Sequence, residues 1–485
     1  MNRKMIAFTI GRILVAEGAL MIPSVIVGLI YRERSTWVFL PAIALLLVIG
    51  ALCSWKKPQN TVIFTRDGYF IVAAVWILLS VFGALPFWFS GYFKSFWDCL
   101  FEIASGFSTT GASILTAIDP LPRCILFWRS FSHWVGGMGV LMFVLAIMPL
   151  AEERSLHLMR AEVPGPVVGK LVPRIRDTAK ILYGVYTGLT AILVILLLCG
   201  GMPLFDALCY AFGTAGTGGF GITNAGVSLY HSAYIETVIA VFMMLFGINF
   251  NLYYFILIGK VKDALKSEEL HVYLGVIAAA VLAIAASTYH LYQGIGSTLR
   301  YAFFQVTTII STTGFATADF ANDWPAFSQM ILILLMFTGA CAGSTGGGLK
   351  MSRIILLFKS CNQEIQRLLH PRAVQVVRLE KKPVDNLLLR TTLSFFVLYI
   401  GIVTAVTLLL SLDEPDFLTN FTAATACLSN IGPGLGKIGP NGNYAFYSAP
   451  SKVMLSLTML AGRLELFPIF VLFNFRHDRK NGAKA

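Results

Sequence analysis

An apolar stretch too short to cross a bilayer recurs four times in this chain, each time between two runs that are long enough. The short stretches are Phe96–Phe107, Leu204–Ala215, Thr298–Ile310 and Asp416–Leu428. Each ends in a loop of small residues. The loops are Ser108-Thr109-Thr110-Gly111, Gly216-Thr217-Gly218-Gly219-Phe220, Ser311-Thr312-Thr313-Gly314-Phe315 and Ser429-Asn430-Ile431-Gly432. An apolar segment of roughly 10–14 residues reads as re-entrant, because a span needs about 20. Non-helical backbone at membrane depth must be buried in protein or line a cavity. Four such segments between spans therefore predict a pore built from four copies of one unit.

The composition agrees with a membrane protein. Of 485 residues, 56% are hydrophobic and 13% charged, where soluble domains carry about 25% charged residues. Ten apolar runs reach span length, near 5–30, 37–55, 69–90, 125–149, 180–200, 233–258, 271–290, 327–357, 387–411 and 451–474. The two-residue alternation of a membrane barrel is absent. The fold class is thus an all-α polytopic membrane protein of about ten transmembrane helices. We divide it into two N-terminal helices (1–60) and four parallel span, pore-helix, span repeats (61–155, 156–262, 263–375 and 376–485) in pseudo-fourfold arrangement. The first run is too long for a signal-peptide core and reads as a retained helix.

A net charge of +12 invites a nucleic-acid reading, but the position of the charges argues against one. Basic residues gather in alternate connections: Arg154 to Lys180, Lys260 to Lys266, and Lys350 to Arg390. The connections near 113–124, 221–232, 316–326 and 433–450 are nearly free of them. This is the positive-inside pattern, and it puts both termini in the cytoplasm and the four loops outside. Arg32 and Arg34 form a local exception, partly offset by Glu33. The eight cysteines show no metal-ligand spacing with histidine, so neither a metal site nor a disulfide is expected.

The loops have the chemistry of a cation path. A ring of inward carbonyls can replace an ion's hydration shell. Aiming carbonyls that way needs positive φ, which glycine adopts freely, and small Ser and Thr side chains can add hydroxyl oxygens. No acid lies in the loops, which excludes a carboxylate-ring calcium site. Asp98, Asp206 and Asp416 stand near the N-termini of three short helices, where acids favour the positive helix pole. They read first as ordinary capping acids.

The run at 327–357 cannot be one plain helix. Gly339, Gly343, Gly346, Gly347 and Gly348 crowd its centre, and each costs about 1 kcal/mol relative to alanine inside a helix. Two small-xxx-small pairs would also fit a packing face, but the glycine triplet favours a loop. Arg463 lies in the last apolar run, where an arginine marks a functional site by default. Glu465 is two residues on and need not share its helix face. Glu102, Arg129 and His133 could be proton-coupling groups; we read them as packed residues.

On these residues the chain resembles the Trk/Ktr/HKT superfamily of potassium transporters, and most of all the membrane subunit of bacterial Trk potassium uptake systems. The likeness covers essentially the whole chain. It rests on Thr65-Arg66-Asp67-Gly68, the four loops, Trp134 to Gly139, and Arg160 to Pro166. It rests also on Gly343-Ser344-Thr345-Gly346-Gly347-Gly348-Leu349-Lys350 and Gly462-Arg463-Leu464-Glu465. The two additional N-terminal helices match the Trk type. The resemblance implies K⁺ as the transported ion at a filter of residues 108–111, 217–220, 312–315 and 430–432, with Rb⁺ as a surrogate. It implies a movable barrier of the 343–348 loop and Arg463. It further implies a homodimer in the bacterial inner membrane and a cytosolic, nucleotide-binding regulatory subunit. In the family a serine in the first loop accompanies Na⁺ permeation; here all four filter glycines are present.

The chain shows no nucleotide-binding or hydrolase motif, so we read it as no enzyme and without a nucleotide site of its own. The basic connections offer a face to that regulatory partner or to anionic lipid. A transporter built on inverted repeats would need units of opposite orientation, whereas every unit here begins on the basic side. A Na⁺-permeable or ion-coupled symporter of the same superfamily is the alternative, which the residues do not separate from channel-like conduction.

Overall fold

A computed structural model describes residues 2–60, 63–139, 175–371, 375–466 and 468. The segments Arg154 to Lys170 and Arg160 to Pro166, together with the ends of the runs at 125–149 and 451–474, lie outside the described residues.

Helices α1 (Arg3–Ile30) and α2 (Phe39–Ser54) form an antiparallel hairpin. Their outward residues Ile22, Ile26, Leu45, Val48 and Leu52 are exposed, as lipid-facing positions are. The connection between them has a definite task. Both Glu33 carboxylate oxygens accept backbone N–H groups, of Arg123 at 2.7 Å and Cys124 at 3.0 Å. Glu33, between the two exceptional arginines, thus caps the helix that begins at Arg123.

The first repeat holds α3 (Thr65–Gly83), α4 (Leu85–Ser90), α5 (Phe96–Phe107) and α6 (Arg123–Gly137). The second holds α7 (Ile175–Cys199), α8 (Leu204–Ala215), α9 (Ala233–Phe246) and α10 (Phe250–Leu257). After the short α11 (Val261–Leu265) come α12 (Glu268–Thr288), α13 (Ile295–Ile310), α14 (Ala326–Thr338) and α15 (Met351–Leu369). A two-residue antiparallel pair, β1 (Arg378–Leu379) and β2 (Lys382–Pro383), precedes the last repeat. That repeat holds α16 (Asn386–Leu410), α17 (Phe417–Ser429) and α18 (Ala449–Arg463).

Six helical segments among the described residues are long and apolar enough to cross a membrane unbroken, with α9 and α10 adding a bent seventh. The protein is an all-α polytopic membrane protein. Each short helix packs between its own following span and that of the preceding repeat. So α5 lies between α6 and α18, α8 between α9 and α6, α13 between α14 and α9, and α17 between α18 and α14. The circle closes. Its centre is polar and its rim apolar, the reverse of a soluble core: Thr109, Thr217, Thr312 and Asn430 are fully buried.

Two expectations change. The run at 233–258 is no single span: it breaks at Gly247-Ile248-Asn249, and α9 and α10 meet at 92°. Arg463 is not in the interior of α18 but is its final residue. Positive φ at Glu465 and Leu466 carries the chain off the helix there.

Candidate functional site

The short helices end alike, for a local reason. In each, one residue takes a left-handed conformation directly past the helix end or one residue later: Thr109, Thr217, Thr312 and Asn430, with φ of 57°, 55°, 60° and 57°. The next residue's N–H reaches five residues back. These bonds are Thr110 to Ser105 at 2.9 Å, Gly218 to Gly213 at 2.8 Å, Thr313 to Thr308 at 2.8 Å and Ile431 to Ala426 at 2.9 Å. This is the Schellman ending, which normally takes glycine or asparagine at its left-handed position. Here a β-branched threonine holds it in three copies, a genuine outlier. Such strain persists only where surrounding contacts impose it, and it clusters at functional sites. The glycines were expected to supply the unusual φ; the threonines before them were not.

Two residues on, Gly111, Gly219, Gly314 and Gly432 have φ of 78°, 77°, 90° and 95°. Each meets the next loop's backbone. A Cβ on Gly111 would lie 1.9 Å from the Gly218 carbonyl oxygen. One on Gly219 or Gly314 would lie 2.0 Å from that of Thr313 or Ile431, and one on Gly432 would lie 2.7 Å from that of Thr110. Each carbonyl belongs to the residue before the next glycine, and the fourth loop returns to the first. The four loops therefore form one interlocked ring. All four glycines line a single cavity of about 620 Å³, with Phe220, Phe315 and Pro433.

The hydroxyls are used locally. Ser108 pairs with Thr110, and Ser311 with Thr313, both at 2.7 Å. Thr217 donates to the Gly216 carbonyl. The divergent fourth loop is tied in by its side chain, where Asn430 Nδ2 donates to the Thr110 hydroxyl at 3.0 Å. Of the three acids only Asp416 caps its helix, accepting from the Thr419 N–H at 3.0 Å; Asp98 and Asp206 lie in the first turns of α5 and α8, where Asp98 pairs with Lys452 at 2.6 Å and Asp206 accepts from the Tyr230 hydroxyl.

The segment 339–350, which is not helical, packs against the loop residues that precede the ring glycines and does not line that cavity. The Gly347 N–H donates to the Thr312 hydroxyl at 2.7 Å, and a Cβ there would sit 2.2 Å from the Ser429 carbonyl oxygen. Gly346 approaches the Ser311 carbonyl oxygen in the same way. Arg463, 6% exposed, donates to the carbonyls of Thr345 at 2.7 Å and Gly136 at 2.6 Å, and to that of Gly137. It thus ties the loop to the end of α6. Lys350 reaches the Gly346 carbonyl. Glu465 pairs with Arg353, whose guanidinium lies 4.1 Å from the Phe395 ring centroid.

Sequence reasoning missed how this segment is held. The break between α9 and α10 supplies partners: Cys341 N–H donates to the Gly247 carbonyl and Phe250 N–H to that of Gly343, both at 3.0 Å. The buried Glu269 caps both ends, accepting from Ala342 N–H at 2.7 Å and Ser352 N–H at 3.0 Å. Glu269→Ala leaves both donors unpaired and should cost about 3 kcal/mol, with Glu269→Gln costing about half as much because it keeps an acceptor. Thermal unfolding midpoints of the purified protein should fall in that order. Equal losses would show that the acceptor is not what holds the loop.

A circle of four re-entrant helices with an interlocked small-residue ring, inside a bundle of spans, defines a membrane transport protein rather than an enzyme. The model of the TrkH family, described as cation transport protein, matches residues 35–483, and the chain belongs to that family. The Trk system potassium uptake protein TrkH of Salmonella typhimurium is 37% identical over 467 residues, 95% of this chain and 96% of that protein. The Trk system potassium uptake protein TrkG of Escherichia coli is 34% identical, over 94% of each chain. The crystal structure of the potassium transporter TrkH from Vibrio parahaemolyticus superposes with a TM-score of 0.88 at 32% identity, over 97% of this chain and 98% of that one.

Proposed function

We propose that the chain takes up K⁺ across the bacterial inner membrane, through the ring of loops ending at Gly111, Gly219, Gly314 and Gly432. The observation that carries this reading is the interlock itself: each glycine's free side is filled by the carbonyl before the next glycine. Such contacts hold a ring of backbone dipoles at fixed spacing, which is what exchanging a hydration shell for protein oxygens requires. The four short helices also turn their negative C-terminal poles toward the ring. The relatives named for potassium uptake supply the ion.

The segment 343–348 and Arg463 form the barrier beneath the ring. A guanidinium at that depth opposes a cation, and its bonds to Thr345, Gly136 and Gly137 hold the loop across the path. Both termini lie in the cytoplasm by the charge pattern. The repeats run 61–155, 156–262, 263–375 and 376–485 behind the two N-terminal helices. By its resemblance to the Trk type, the functional unit is a homodimer with a cytosolic nucleotide-binding partner, and its basic face also meets anionic lipid.

The test is ⁸⁶Rb⁺ uptake into liposomes holding the purified chain. K⁺ should compete at least about tenfold better than Na⁺, a difference of about 1.4 kcal/mol. Equal competition would point instead to the Na⁺-permeable or Na⁺- or H⁺-coupled alternative.

A further inference from the structure

Behind the first loop lies a buried ion pair that the transport reading leaves unused. Glu102 on α5 is 0% exposed and Arg129 on α6 is 2% exposed. Glu102 Oε1 accepts from Arg129 Nε at 2.6 Å and from the Ser113 hydroxyl at 2.9 Å. Its other oxygen accepts from the Ile114 N–H at 3.0 Å. Arg129 then crosses to the second loop. Its Nη1 donates to the Gly221 carbonyl at 2.6 Å, and its guanidinium carbon lies 3.5 Å from the Phe220 ring centroid. His133, with Nδ1 at 2.8 Å from the Gly106 carbonyl oxygen, stands against the same ring at 4.2 Å. One connected network thus joins the backbone just past Gly111 to the backbone just past Gly219.

The third and fourth repeats brace the same place without charge. Nine residues before each ring glycine stand Glu102, Tyr210, Gln305 and Ala423. Gln305, with its amide oxygen toward the backbone, accepts from Thr317 N–H at 2.9 Å and Ala318 N–H at 3.1 Å. In the fourth repeat the neighbouring Thr422 accepts from the Leu435 N–H at 3.0 Å. These neutral braces stay within their own repeat, whereas the charged one spans two. A buried ion pair contributes little net stability, because desolvating both charges offsets their attraction. Charge-assisted bonds are short and directional, so what the pair supplies is a fixed distance between loops.

We propose that Glu102 and Arg129 are positioning residues that set the discrimination between K⁺ and Na⁺, by holding the first and second loops at a separation a smaller ion cannot contract. This rests on the reading of the ring as the ion path. Loss of Glu102 reach frees Ser113 and Ile114; loss of the arginine fork frees Gly221; loss of the aromatic face lets the guanidinium shift.

The test uses the whole chain in liposomes and reads the ratio of Na⁺ to K⁺ concentrations that halve ⁸⁶Rb⁺ uptake. Wild type comes first: no uptake even with Arg463→Ala would sink the ion-path reading itself, whereas uptake with no preference for K⁺ would overturn this proposal and leave that reading standing. Given a preference, Glu102→Asp and Arg129→Lys should each lower the ratio about tenfold, the weight of one charge-assisted bond, with uptake retained. Phe220→Leu should lower it about threefold. A merely structural role would lower the unfolding midpoint and leave the ratio unmoved, and that outcome in monodisperse variants overturns the proposal. Should the ion-pair variants aggregate, Phe220→Leu decides alone, and a wild-type ratio there overturns it equally.

Discussion

Replacing Arg463 with alanine should raise ⁸⁶Rb⁺ entry into liposomes roughly a thousandfold in the absence of any partner protein. If Arg463 and residues 343–348 form the barrier, two effects are lost together. One is electrostatic. Two unit charges about 4 Å apart repel by about 4 kcal/mol at an effective dielectric near 20, and about 1.4 kcal/mol is a factor of ten. The other is mechanical, because the guanidinium donates to three carbonyls on two elements, Thr345 on the loop and Gly136 and Gly137 on α6. Lysine keeps the charge but not the planar fork, so Arg463→Lys should leak to an intermediate degree. Deleting residues 344–348 should leak without changing the charge. An unchanged leak in all three would remove Arg463 and the loop from the gate.

Much of this architecture is legible in the sequence wherever the signal is local. The lengths of Phe96–Phe107 and Leu204–Ala215 follow from apolar runs too short to span, bounded by loop residues, and α5 and α8 have those limits. The third short helix begins at Ile295 rather than Thr298, and the fourth runs Phe417–Ser429 with Asp416 as its cap. The glycine triplet marks the break after Thr338 because helices do not tolerate that density of glycine. What stays hidden is set by partners distant in the chain. Arg463 bonds to residues 118 and 327 positions away, and Glu269 caps a loop more than seventy residues on. Hydropathy does not register such pairings. The break at Gly247 is a lone glycine in an apolar run, which looks the same as a packing contact until the 339–350 loop is seen bonded to it. The left-handed threonines escape notice for another reason: their strain is imposed by the closed ring, and no propensity scale anticipates it.

The ring glycines should not respond equally to the same substitution. Alanine at Gly111, Gly219 or Gly314 would place a methyl 1.9–2.0 Å from a neighbouring carbonyl oxygen, whereas at Gly432 the distance is 2.7 Å. All four positions have positive φ, which costs a non-glycine residue about 1–2 kcal/mol. Forcing carbon into packed backbone adds about 1–3 kcal/mol. The first cost is common to the four, so the second should order them. We expect Gly111→Ala, Gly219→Ala and Gly314→Ala to lose K⁺ preference over Na⁺ by about ten- to a hundredfold, and Gly432→Ala to lose the least. Gly111→Ser carries the same Cβ and should weaken selectivity at least as much as alanine, by displacing the Gly218 carbonyl rather than by supplying a hydroxyl. The same ⁸⁶Rb⁺ competition measures all five variants. A Gly432→Ala defect as large as the others would mean that strain at positive φ, not contact across the ring, controls the ion path. A serine effect much greater than that of alanine would put the hydroxyl itself in the path, and would make the interlock a consequence of the fold rather than the basis of selectivity.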